Sequence, residues 1–180
     1  KDVVINAIGV SGADADVAWT LPTLMEGLTV VATYSPTTAS DGADQDAGTG
    51  VGFSYTAGPL NVAYAQFDGD VAAEENSYIG ATVTISGLAV NLEQMNFPNA
   101  TGTTVETEST VGFTYSMGDT TLAVANETNE KADGSTAADI MFYGVKYSLG
   151  GGATLFAEMS SDDIAGASSD KTAVGVAYAF

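Results

Sequence analysis

Residues 153–180 read ATLFAEMSSDDIAGASSDKTAVGVAYAF, and the pattern at the two ends of this stretch decides the fold. In the closing segment Val174, Val176, Tyr178 and Phe180 fall on one side of an alternation, with Ala173, Gly175, Ala177 and Ala179 on the other. In the opening segment Ala153, Leu155, Ala157 and Met159 alternate with Thr154, Phe156 and Glu158. Successive side chains of a β-strand point to opposite faces, so each segment reads as a strand with one apolar face and one small or polar face.

The same pattern recurs upstream. Val111, Phe113 and Tyr115 oppose Thr110, Gly112 and Thr114, and Leu88, Val90 and Leu92 oppose Ala89, Asn91 and Glu93. Glycine-containing tight turns stand at Gly27, Gly58, Gly87, Gly118 and Gly151, spaced 31, 29, 31 and 33 residues apart. Each repeat therefore reads as one β-hairpin with a tight turn (TAGP, ISGL, SMGDT, LGGGA) followed by a longer polar loop. The loops are TTASDGADQDAGTG, DGDVAAEE, PNATGTT, KADGSTA and DDIAGASS, rich in residues that favour turns. Short connections at one end and long ones at the other are the asymmetry of outer-membrane β-barrels. Eleven strands are expected, at 17–21, 28–36, 49–56, 60–67, 77–86, 88–97, 106–116, 120–128, 138–148, 153–160 and 171–180.

An apolar face could meet lipid or the second layer of a soluble sandwich. Three features favour lipid. Several segments hold nine to eleven residues, the length of a tilted bilayer-crossing strand. Tyr34, Tyr55, Tyr64, Tyr115, Tyr143, Tyr147 and Tyr178 fall largely toward strand ends on the apolar face, where an interfacial girdle would stand. The opposite face is dominated by Gly, Ala, Ser and Thr, as a water-filled interior permits and a close-packed core does not. No run approaches the roughly 20 apolar residues of a membrane-spanning helix.

The charge narrows the function. The 180 residues carry 23 acidic side chains against four basic ones, Lys1, Lys131, Lys146 and Lys171, for a formal net charge of −19. Nucleic acid is excluded as a partner by like-charge repulsion, whereas cations are attracted. There is no cysteine and no histidine, so thiolate and imidazole chemistry are absent. GVGFSY and GGGATL lack the helix and Lys of a phosphate loop. Glu106 and Glu108 share a strand face, and a carboxylate pair can serve glycoside hydrolysis, but two glutamates flanking a polar loop explain them better. Asp41, Asp44 and Asp46 in DGADQD form a weak oxygen-rich candidate for calcium, without the twelve-residue EF-hand pattern.

The ending DIMFYGVKYSLGGGATLFAEMSSDD, followed by DKTAVGVAYAF, resembles the C-terminal hairpin and closing strand of alphaproteobacterial general porins. VAWTLPTLMEGLTVVATYSP resembles that family's strand pair after the constriction. The resemblance implies an all-β, antiparallel, up-and-down transmembrane barrel of sixteen strands, of which about eleven are present, with 1–180 one barrel domain and 1–16 the tail of an inward constriction loop. It also implies a homotrimer in the bacterial outer membrane, in contact with lipid and lipopolysaccharide. Val176, Tyr178 and Phe180 would be the signal read by the barrel assembly machinery. KDVVINAIGV lacks an initiator Met and a signal peptide, so upstream residues removed by processing or truncation are expected. A complete ten-stranded barrel, with 17–21 not a strand, is the alternative.

On this reading Glu93, Glu106, Glu108, Glu127 and Glu158 line the pore as a negative belt, and Lys146 and Lys171 partly offset it. The expected function is passive diffusion of ions and small hydrophilic solutes, with cations preferred. The competing expectation is a secreted or surface-layer β protein whose acidic loops bind calcium or a partner.

Overall fold

The computed structural model describes residues 17–35, 48–69, 75–98, 105–164 and 167–179. Eleven strands are present: β1 (Val17–Thr20), β2 (Leu28–Ser35), β3 (Gly48–Ala57), β4 (Leu60–Gly69), β5 (Asn76–Ile85), β6 (Leu88–Pro98), β7 (Val105–Met117), β8 (Thr120–Glu130), β9 (Thr136–Gly150), β10 (Ala153–Ile164) and β11 (Ala167–Tyr178). They are hydrogen-bonded in chain order in one antiparallel, up-and-down sheet. All eleven expected strands are found, including 17–20. Among the described residues no helix is long and apolar enough to cross a membrane, which leaves crossing by strands untouched.

The tight turns follow from backbone chemistry. Four of them are two-residue loops: Gly58-Pro59, Ser86-Gly87, Gly118-Asp119 and Gly151-Gly152. Ser86 and Gly87 both have positive φ, 50° and 84°, the signature of a type I′ turn whose twist matches the flanking strands. Gly27, Gly87 and Gly152 also lie against the next hairpin. Their carbonyls accept hydrogen bonds from the amides of Thr56 (2.9 Å), Ser116 (2.8 Å) and Ala179 (3.0 Å). A Cβ at any of the three would collide with a backbone carbonyl of that neighbouring chain segment.

The other end departs from expectation at the last hairpin. DDIAGASS was expected to be a long loop, yet Asp162 and Asp163 continue β10, Ser168 and Ser169 begin β11, and two residues separate the strands. Here both faces are polar, so the apolar alternation that marks a strand ends while the hydrogen-bonded ladder goes on.

The chain packs as two compact units, residues 1–81 with 93–107 and residues 82–92 with 108–180. In the first, Val17, Trp19, Tyr34, Val51, Phe53, Tyr55, Val62 and Tyr64 occupy one face, with Trp19 62% exposed. Phe53 and Tyr64 stack there, ring centroids 5.4 Å apart. The opposite face carries Val31, Thr33, Gly50, Gly52, Ala63, Ala65 and Phe67. Ala63, Ala65 and Tyr78 form its buried core, with Met95 packed against them.

In the second unit the register places Leu122, Val124, Tyr143, Val145, Tyr147, Leu155, Ala157, Met159, Val174, Val176 and Tyr178 on one face. Most are well exposed, Val174 most of all at 78%. Toward the loop end the same face turns polar, at Thr128, Asp139, Ser161, Asp163 and Asp170.

Candidate functional site: a charged sheet face

The other face of the second unit is built by the same register. On β8 it carries Thr121, Ala123, Ala125 and Glu127; on β9 Lys146, Gly144, Phe142 and Ile140. On β10 it carries Phe156, Glu158, Ser160 and Asp162; on β11 Gly175, Ala173, Lys171 and Ser169. Glu127, Lys146, Glu158 and Lys171 thus share one face, opposite the exposed apolar one. Glu108 joins them by alternation with Gly112, whose Cβ position lies 3.7 Å from Asn91 Cβ and 3.8 Å from Ala125 Cβ. Glu93 and Glu106 belong to the first unit, on the middle of β6 and at the start of β7.

The charges are arranged in cross-strand diagonals. Lys146 Nζ lies 3.7 Å from Glu158 Oε1, both side chains about half exposed. Lys146 pairs directly with Phe156, and Glu158 with Gly144, so the ion pair reaches across one diagonal, a distance long side chains span easily. Lys171 Nζ donates to Asp162 Oδ2 at 2.7 Å, again diagonally, since Asp162 faces Ser169. The Asp162 carboxylate is almost fully buried and the lysine is mostly exposed. Asn129 Nδ2 donates to Glu127 Oε1 at 3.3 Å.

Sequence reasoning missed Asp162. The signal was present, because counting in twos from Glu158 through Ser160 reaches Asp162; ending the strand at 160 hid it. It also understated the bulk on the face opposite the exposed apolar one, in the first unit at Phe67 and Tyr78 and in the second at Phe142 and Phe156. These are not small residues, but three of the rings are laid over glycine. Phe67 covers Gly48, Tyr78 covers Gly80 on its own strand, and Phe156 covers Gly175 across the β10–β11 pair; a Cβ at any of these glycines would strike the ring. A ring lying along the sheet projects far less than one standing upright.

Beyond the strands, β8 and β9 are joined by residues 131–135, where the Gly134 amide donates to the Lys131 carbonyl at 2.8 Å. The Ser135 amide and hydroxyl both donate to Asp133 Oδ1, at 2.9 and 2.6 Å. These side-chain and backbone hydrogen bonds from Ser135 hold the Asp133 carboxyl below the usual carboxylate range. No group of three or more metal-ligating side chains occurs among the described residues. Asp41, Asp44, Asp46 and Phe180 lie outside them. Val176 and Tyr178 stand exposed on the apolar face of β11.

Comparison with known proteins agrees with this geometry. The family model described as Gram-negative porin matches residues 2–167. No curated protein sequence matches the chain significantly. Among solved structures, an anion-selective porin from Comamonas acidovorans is 17% identical with a TM-score of 0.73, covering 93% of this chain and 60% of that one. A porin refined at 1.8 Å resolution is 16% identical with a TM-score of 0.71, covering 91% and 60%. The trimer form of OmpT, an outer-membrane protein of Vibrio cholerae, is 18% identical with a TM-score of 0.62, covering 90% and 60%. The chain spans about 60% of the length of each.

Proposed function

The chain belongs to the Gram-negative porin family, and we propose that it contributes to a water-filled channel of the bacterial outer membrane, through which ions and small hydrophilic solutes diffuse passively, cations preferentially. It is a channel protein and not an enzyme. Membership of the family displaces the reading as a secreted or surface-layer β protein.

The observation that carries the proposal is the division of β8–β11 into an exposed apolar face and a charged one. Large apolar side chains left exposed on a continuous face call for an apolar partner, and lipid is that partner here. On β9 this face runs apolar from Met141 to Leu149. That is nine residues, the length of a tilted strand that crosses a bilayer, roughly 9–11 residues. Asp139, Asp163 and Asp170 rim its loop end, where lipopolysaccharide headgroups would stand.

The charged face then lines the water path. Glu108, Glu127 and Glu158 supply its negative charge, Glu93 and Glu106 are the first unit's carboxylates in the same proposed belt, and Lys146 and Lys171 partly offset it, Lys146 by pairing with Glu158 and Lys171 by pairing with Asp162. Carboxylates lining a passage lower the barrier for cations and raise it for anions. Since the Comamonas neighbour is anion-selective, the porin fold alone does not set the sign; the side chains on this face do. A homotrimer, with Val176, Tyr178 and Phe180 serving the assembly machinery, completes the proposal.

Reversal potentials across a planar bilayer under a KCl gradient test it. The sign of cation selectivity is expected, and anion selectivity of the wild-type channel would overturn the assignment of the belt.

A further inference from the structure

Among the strand glycines on the charged face of the second unit, Gly112 and Gly144 have no aromatic ring laid over them, and Gly144 is the one flanked by charge. Gly48, Gly80 and Gly175 are each covered by an aromatic ring, whereas a Cβ at Gly144 would meet nothing closer than Ala123 Cβ and Glu158 Cγ, both at 3.9 Å. The position is therefore the floor of a shallow depression. Its walls are set by register: Phe142 and Lys146 two residues away along β9, Ala123 directly across on β8, and Glu158 directly across on β10.

The walls are chemically unlike one another. Phe142 is 41% exposed on a face of β8–β11 whose other large apolar side chains include Ile140 and the flat-lying ring of Phe156. Its neighbours across the strand pairs are Ala125 and Ser160, which leave the ring uncovered. Glu127 and Glu158 lie on its diagonals toward β8 and β10, within reach of one small molecule resting on the ring. An aromatic face with carboxylates beside it suits a cation that carries its own apolar surface, because the ring quadrupole and the carboxylates attract the charge while the ring also welcomes the methyl groups.

We propose that Phe142, Gly144 and Glu158 form a weak subsite for organic cations of the quaternary ammonium class, with Glu127 contributing charge from the adjacent strand. The proposal rests on the channel reading and deepens it by naming a solute class. Lys146 is its internal competitor: its ammonium occupies the Glu158 carboxylate at 3.7 Å, and a half-exposed pair of this kind is held loosely enough to yield.

The test uses the full-length protein and tetramethylammonium chloride as the probe. Potassium conductance in planar bilayers is expected to fall saturably as the probe is added. The half-inhibiting concentration is expected to rise about two- to fivefold in Phe142→Leu, the usual worth of an exposed cation–π contact, and to rise also in Glu158→Gln. In Lys146→Ala it should fall. Gly144→Ala fills the depression at ordinary contact distances and is expected to match Phe142→Leu, whereas Gly112→Ala, equally spacious on the same face, should match wild type. Equal inhibition of wild type, Phe142→Leu and Gly144→Ala would overturn the subsite, as would no inhibition at all. Saturation transfer from detergent-solubilised protein to the probe's methyl protons separates the two readings. A signal that weakens in Phe142→Leu upholds the subsite even in a protein that conducts no current, where the channel reading alone would fail.

Discussion

At the level of single residues, the charged face is a balance of carboxylates against two engaged lysines. Removing one charge at Glu158 is expected to lower the cation-to-anion permeability ratio by up to a factor of about six at low salt, since a unit charge about 8 Å away in water shifts the cation and the anion by about 0.5 kcal/mol each, in opposite directions. Lys146→Gln should raise the ratio by a similar factor, and both effects should shrink as salt rises toward 1 M, because screening shortens the reach of each charge. Reversal potentials at two salt concentrations check the pair of variants together. Asp133 makes a separate prediction. Its carboxyl is held below the ordinary range by the two bonds from Ser135, so the turn gains from the charged form above the unfolded carboxylate range and loses that gain only as pH falls through the depressed folded value. The Ser135 amide resonance should therefore titrate below the pH at which an exposed aspartate does; titration at an ordinary carboxylate pH would show that these bonds do not form. Residue identity left some of this legible. Glu127, Glu158, Lys146 and Lys171 could be assigned to one face by counting in twos, whereas the pairing of Lys171 with Asp162 could not, because it depends on the register between β10 and β11 and on a strand longer than its apolar pattern.

At the level of the hairpin, glycine carries the design twice. In the turns it supplies positive φ and lets a carbonyl reach the next strand; Gly87 does both, and Gly87→Ala should cost about 1–3 kcal/mol in the urea-unfolding free energy of the protein refolded into detergent or lipid. Gly58 has positive φ but no neighbouring atom against it, so Gly58→Ala should cost less. Ser86 stands in the left-handed region without being glycine, and Ser86→Asn, the residue preferred there in a type I′ turn, should stabilise by roughly 0.5–1 kcal/mol. Within the strands Gly48, Gly80 and Gly175 instead make room for rings. These two roles differ in legibility. Turn glycines announce themselves by their spacing and by flanking alternation, so the hairpin boundaries at Gly58, Gly87, Gly118 and Gly151 could be placed from sequence. Nothing local in the sequence reveals that Gly175 accommodates Phe156, since the two meet only through strand pairing. The loop ends were hard for a related reason: outside the bilayer both faces of a strand meet water, so Ser, Thr and Asp continue the ladder of β10 and β11 without any hydropathy signal.

For the whole molecule, the exposed apolar faces and the Gram-negative porin family agree on a protein that lives in lipid. Purified protein is expected to need detergent, and to migrate differently on a denaturing gel before and after boiling, as a resistant β-structure unfolds. A species soluble and monodisperse in plain buffer would contradict the membrane reading. The central claim is that two faces of one strand meet two solvents, and the absence of cysteine from the chain makes it directly measurable. Single cysteines at Ala123 on the charged face and at Val145 on the apolar face, placed in the full-length protein in planar bilayers, would be treated with a positively charged, membrane-impermeant methanethiosulfonate reagent. The Ala123→Cys channel should react and its cation preference should drop, while Val145→Cys should stay unmodified until the protein is unfolded. Reaction at Val145→Cys with Ala123→Cys protected would mean that the faces are assigned the wrong way round, and the account of the channel would fall with them.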